Sequence, residues 1–197
     1  MLVNSKLFLN LKSFRVRWKV YAAFNVLFFS CIFITLILSS LFLESPLYSG
    51  WRPNVPESLL NGSWLLMLLG IFIFNLAFSS LVFVTLPGFL FFPLSAGLLM
   101  YRGFLWGLLL YVSPLNVFVV ALPTVLLEGE AYVFAAVAGT VVGVSWLKPA
   151  WVFRHSGFRR SEALKKALKE SLAIYFPLVL LLFSAAIVET AAILFLA

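Results

Sequence analysis

An all-α, polytopic integral membrane protein is the fold class this sequence predicts, with about five transmembrane helices, a re-entrant or broken segment and amphipathic interfacial helices. Three observations predict it. Of 197 residues, 63% are hydrophobic and 11% charged, where soluble domains carry roughly 25% charged residues, so the chain lacks the polar surface to cover itself in water. Apolar runs of about 20 residues, the length that crosses roughly 30 Å of hydrocarbon, recur along it. The charge is also concentrated: of 14 Lys and Arg residues, 12 lie in two patches, Lys6 to Lys19 and Lys148 to Lys169, each abutting a long apolar run. A net charge of +7 would by itself suit a nucleic-acid partner. The placement argues instead for cytoplasmic segments held at an anionic leaflet, and no nucleic acid is expected.

The elements follow in order. Residues 1–19 form a basic cytoplasmic interfacial segment in which Leu7, Leu11, Phe14 and Trp18 recur at helical spacing and Lys12, Arg15 and Lys19 occupy another face, as in a helix lying on a membrane. Val20 to Leu43 is the first span. Its apolar run is too long for a signal peptide and no small-residue cleavage site is evident, so it reads as a retained anchor. Residues 44–62, with Pro46, Pro53 and Pro56, form the sizeable external loop, and Ser63 to Leu86 is the second span.

Counting constrains what comes next. If both basic patches are cytoplasmic, the crossings between them are even in number, so Phe89 to Leu147 supplies two. Two crossings use about 40 residues, and the remainder has to be broken or re-entrant, which hydrocarbon tolerates only where protein or a wet cavity surrounds it. The Gly- and Pro-rich stretch Pro87 to Gly103 is the expected site, leaving full spans at Phe104 to Leu126 and Glu128 to Leu147. The alternative folds Phe104 to Leu126 into a re-entrant hairpin about Pro114. Residues 148–170 then form a basic cytoplasmic loop. Within it Ser161 can cap a helix, Glu162 and Lys166 are an i,i+4 pair, and Leu164, Leu168 and Leu172 make one stripe. That helix runs into the last span, Ser171 to Ala197, bent at Pro177. The result is a single transmembrane domain, residues 1–197, with the N-terminus cytoplasmic and the C-terminus external.

Ionisable groups inside apolar segments are penalised by about 2.5–3.5 kcal/mol on insertion scales and point by default to function. Glu128, Glu130 and Glu189 are the three candidates. Glu130 lies 17 residues from Leu147 and Glu189 lies 18 residues from Ser171, so both sit about 26 Å from the cytoplasmic face. A shared outer-leaflet site is geometrically open to them, whether the carboxyls share a proton, bind a cation or hydrogen-bond a facing backbone. An ordinary interfacial turn is the competing reading for Glu128 and Glu130, because Gly129 between them suits a loop. Asn75 and Asn116 are candidates for interhelical hydrogen bonds. Ala131, Ala135, Gly139 and Gly143 repeat every four residues, the spacing that lets helices approach closely in lipid, so a helix of this chain or of a second copy is expected to fill the groove.

Catalytic constellations are missing. The chain has no Asp and no Gln, a single His155 and a single Cys31. Aspartyl chemistry, a Ser-His pair inside a span, an H-E-x-x-H zinc site and a phosphate-binding glycine loop are therefore unsupported. Neither enzymatic activity nor a cofactor or metal is expected.

Three features together resemble the stage II sporulation protein M family of small polytopic membrane proteins, over about residues 74–197. These are Asn75 in the second span, Leu127-Glu128-Gly129-Glu130-Ala131 leading into Ala135-Ala136-Val137-Ala138-Gly139, and Ala185-Ala186-Ile187-Val188-Glu189 near the end. Many members carry Pro-His-Gly where this chain has Pro123-Thr124-Val125, so a role needing that His does not transfer. The resemblance implies a non-enzymatic membrane component that, in sporulating cells, organises peptidoglycan-remodelling partners. The expected function is thus a homo-oligomeric scaffold, a dimer favoured, with other membrane proteins as further partners. The alternative is a channel or transporter moving an ion or small solute through the buried glutamates.

Overall fold

A computed structural model describes residues 11–43, 63–153 and 157–196. Helix α1 is Leu11–Phe42. Helix α2 is Trp64–Leu90, built of an α-helical Trp64–Ile73, a π-helical Phe74–Thr85 and an α-helical Leu86–Leu90. Helices α3 (Pro93–Val112), α4 (Leu115–Leu147), the short α5 (Pro149–Val152) and α6 (Arg160–Leu196) follow. Five of these are long and apolar enough to cross a membrane. The chain is a multi-pass membrane protein.

Proline and chain direction set the boundaries. Pro93 opens α3 and Pro149 opens α5, first-turn positions where its missing N–H would have had no helical partner. Ser113 is extended (φ −79°, ψ 139°) because Pro114 follows it, so two residues turn α3 into α4. Pro123 and Pro177 lie inside α4 and α6, where each leaves one carbonyl of the preceding turn without its helical bond.

All five long helices are laid side by side, and their ends agree. Val20, Tyr21 and Phe24 near the start of α1 pack with Val137, Val141 and Val142 of α4 and Ala163 and Ala167 of α6. Trp146 of α4 donates to the Phe89 carbonyl near the end of α2 (2.7 Å). At the opposite end, Tyr111 of α3 donates to the Leu43 carbonyl (2.9 Å). The described basic side chains Lys19, Lys148, Arg159, Arg160, Lys165, Lys166 and Lys169 therefore gather at one end of the bundle. Large apolar side chains such as Phe33, Leu41, Leu66, Phe74, Leu172 and Leu180 are exposed on its flanks, the surface that lipid covers.

Five expectations change. Pro87 to Gly103 is neither broken nor re-entrant: it is the end of α2 and the first half of α3. Phe104 to Leu126 is not one span: it turns at Ser113–Pro114, where the alternative folds it, but its two limbs belong to the full-length α3 and α4 and not to a re-entrant hairpin. Helix α4 continues through Glu128 and Glu130, which removes the interfacial turn as well. In α6, Ala163, Ala167 and Ser171 are the buried stripe while Leu168 and Leu172 face outward, because small residues admit the neighbouring helix and leucine is at home in lipid. Glu162 caps the start of α6, accepting from the Arg159 N–H (3.0 Å), in place of Ser161. The amphipathic face of residues 7–17, the loop 44–62 and His155 lie outside the residues whose side chains are described.

Candidate functional site

Among the described residues the most buried carboxyl belongs to Glu128, which is 2% exposed. Asn75 of α2 donates through Nδ2 to Glu128 Oε1 (2.6 Å). Tyr132, one helical turn along α4, places its hydroxyl 3.0 Å from both Glu128 Oε2 and Asn75 Oδ1. Its single proton satisfies one of the two at a time. The three side chains close a ring in which every carboxyl oxygen has a neighbour, so the polar surplus of each helix is consumed inside the protein.

A cation stands over this ring. Arg102 is nine residues from Pro93 and ten from Val112 in α3, so it lies about 14 Å from either end of its span. Its guanidinium carbon is 4.4 Å from the centroid of the Tyr132 ring and 5.9 Å from that of Phe83. Its Nε is buried without a hydrogen-bond partner among the described residues. Both Arg102 and Glu189 are close enough to Glu128 for their charges to interact with it. The site thus draws on α2, α3, α4 and α6.

Glu130 belongs to a different place. Two residues along a helix rotate a side chain by about 200°, so Glu130 faces α1 when Glu128 faces α2 and α6. There it accepts from the Tyr21 hydroxyl and from Asn25 Nδ2, the latter at 3.4 Å. Glu189 is half-buried on α6, close enough for its charge to act on Glu128. Asn116 is exposed on α4. Among the described residues no three His, Cys, Asp or Glu side chains converge as metal ligands would.

The small-residue ladder is occupied from within the chain. Ala131 and Ala135 are fully buried, and a Cβ built on Gly139 would come 2.7 Å from the Thr85 carbonyl oxygen. One built on Gly143 would overlap the Gly88 carbonyl oxygen. The end of α2 therefore fills the groove. Beside it, Thr85 donates to the Ala135 carbonyl (3.0 Å) and accepts from the Tyr175 hydroxyl (2.7 Å), tying α2, α4 and α6 at a second level.

Several of these partners escape sequence reasoning. Arg102 looks like a span-end residue until the true limits of α3 are known. Tyr132 was legible as the i+4 neighbour of Glu128, and Asn25 as that of Tyr21. Gly103 and Gly107 form a second close approach, each built Cβ meeting an α1 carbonyl, Phe28 at 2.8 Å and Ile32 at 2.7 Å.

A family model described as Stage II sporulation protein M matches residues 22–192. Neither a curated protein nor a solved structure gives a match.

Proposed function

The chain belongs to the Stage II sporulation protein M family, and from that premise we propose that it is a non-enzymatic, homo-oligomeric scaffold embedded in the cell membrane. The observation that carries this reading is the sealing of Glu128: a carboxyl 2% exposed, bonded to Asn75 and Tyr132, holds helices together and offers no path to water. Glu130, part-buried and bonded to Tyr21 and Asn25, ties α4 to α1. Because the ladder Ala131, Ala135, Gly139, Gly143 is filled by α2, a second copy or another membrane protein meets the lipid-facing flanks and not that groove.

Transport is the second reading, and one observation favours it. Glu189 has no hydrogen bond among the described residues, yet it lies within charge-interaction distance of Glu128, as a carrier group would. Proteoliposomes separate the two. A scaffold leaves an imposed pH gradient decaying as it does in protein-free vesicles. A faster decay that Glu189→Gln abolishes would replace the scaffold by a proton or cation pathway.

The orientation we propose is basic end inward, with the N-terminus cytoplasmic and the C-terminus external, as charge asymmetry sets it. Its partner is the anionic cytoplasmic leaflet. Single cysteines at positions 49 and 155, in a Cys31→Ser background, are expected to label with an impermeant reagent in intact cells at 49 and not at 155. The reverse pattern inverts the molecule.

A further inference from the structure

At the basic end of the bundle, the junction of α2 with α3 and the corner between α4 and α5 leave a notch lined by Phe92, Val144, Leu147, Lys148 and Trp151. Four of the five linings are apolar, and the fifth is a lysine. Lys148 is exposed and its Nζ sits 4.0 Å from the centroid of the Trp151 ring, an arrangement that holds the ammonium by the indole face. The walls are fixed on both sides. Trp146 donates to the Phe89 carbonyl, and Gly143 brings α4 against the backbone of Gly88.

We propose that this notch binds one anionic phospholipid, with an acyl chain against Phe92, Val144 and Leu147 and the phosphate at Lys148. Charge complementarity selects the occupant. The apolar wall belongs to a molecule immersed in lipid, and a zwitterionic headgroup leaves Lys148 no net charge to gain from. The surrounding end carries Lys19, Arg159, Arg160, Lys165, Lys166 and Lys169, which raise the local concentration of anionic lipid, while the indole suits headgroup depth. This goes beyond the general attraction of basic patches to a leaflet, because it assigns one lipid to one place.

Native mass spectrometry of the full chain in detergent, titrated with phosphatidylglycerol or phosphatidylcholine, tests it. One phosphatidylglycerol is expected to be retained in preference. Lys148→Gln weakens that retention about fivefold, the share of one lysine beside an anionic headgroup. Val144→Trp fills the notch and lowers retention with every charge intact, and Lys165→Gln leaves it within twofold of the parent. Equal retention of the two lipids, or an equal loss from Lys165→Gln and Lys148→Gln, overturns the site and leaves only diffuse attraction. The Lys148→Gln arm alters an exposed side chain and so decides the matter even where Val144→Trp fails to fold. Binding in detergent does not depend on which leaflet the end faces, so this proposal and the orientation fail separately.

Discussion

Gly143→Leu is expected to leave almost no folded protein, one of the two largest effects among the substitutions considered for this chain. The obstacle is backbone, since the added Cβ runs into the Gly88 carbonyl oxygen and the Phe92 Cβ lies 3.1 Å away. A flexible side chain can turn aside, but α2 can yield only by moving as a helix. Overpacking in a dense interior is destabilising by about 1–3 kcal/mol, occasionally more, and here a whole leucine has to be accommodated where a methyl already collides. Gly143→Ala should therefore lower the apparent Tm measurably, and Gly139→Leu should behave like Gly143→Leu. Gly70→Ala and Gly97→Ala are the contrast. Nothing lies within 4 Å of either added Cβ, and alanine is the better helix former by about 1 kcal/mol, so both are expected to fold at least as well as the parent. Heating followed by size-exclusion chromatography in detergent reads all five. If Gly143→Leu elutes and melts as the parent does, the close contact of α2 with α4 is wrong. The same profile reports mass: loss of folded chain without a shift from larger to smaller particles places the damage inside one copy.

Glu128→Leu is the second large effect, with an expected loss of about 3–5 kcal/mol, the range for removing one member of a buried charge arrangement. The leucine strips Asn75 Nδ2 of its acceptor, worth about 1–3 kcal/mol when left unsatisfied, leaves the Tyr132 hydroxyl with Asn75 Oδ1 alone, and removes an acid with which Arg102 interacts. Glu128→Gln keeps an acceptor in place and should retain most of the stability. Tyr132→Phe and Asn75→Ala are expected to fall between. Combined, they should lose less than the sum, with a coupling above about 0.5 kcal/mol, because both touch one ring of hydrogen bonds. Equal melting of Glu128→Leu and Glu128→Gln would show that the ring contributes nothing to assembly.

Much of the fold is legible in the residues. Runs such as Val20 to Leu43 exceed the thickness of hydrocarbon, and no aqueous fold hides them, so the first, second and last spans are read directly. The basic patches add the parity, which is why five crossings emerge even where the middle is misdrawn. What fails is local. Glu128-Gly129-Glu130 has the composition of a turn, and only the partners on other helices, Asn75 for Glu128 and Tyr21 for Glu130, make it a helix interior. Ser113–Pro114, the real turn, is too short to stand out from apolar neighbours. Clustered prolines at 87 and 93 read as a broken segment, yet Pro87 falls where α2 passes from its π-helical stretch into the α-helical Leu86–Leu90 without interrupting the helix, and Pro93 opens α3. The site follows the same rule. Its glutamates are visible because charge is rare in apolar sequence, whereas Arg102 acquires meaning only when α3 is known to run from Pro93 to Val112.

The mid-span place of Arg102 also bears on how the protein is made. Of the five long helices α3 is the least hydropathic, and an arginine near a helix centre is penalised by about 2.5–3.5 kcal/mol at the translocon. Alone, α3 is a poor candidate for partitioning from the insertion channel into lipid. Its two-residue link to α4 delivers Tyr132 and Glu128 almost at once, with the ring over which the guanidinium sits. The biogenesis unit is then the α3–α4 hairpin, released sideways as a pair. Nascent chains truncated after Val112 should slip back to the cytosol or lumen where chains extended through Leu147 stay integrated.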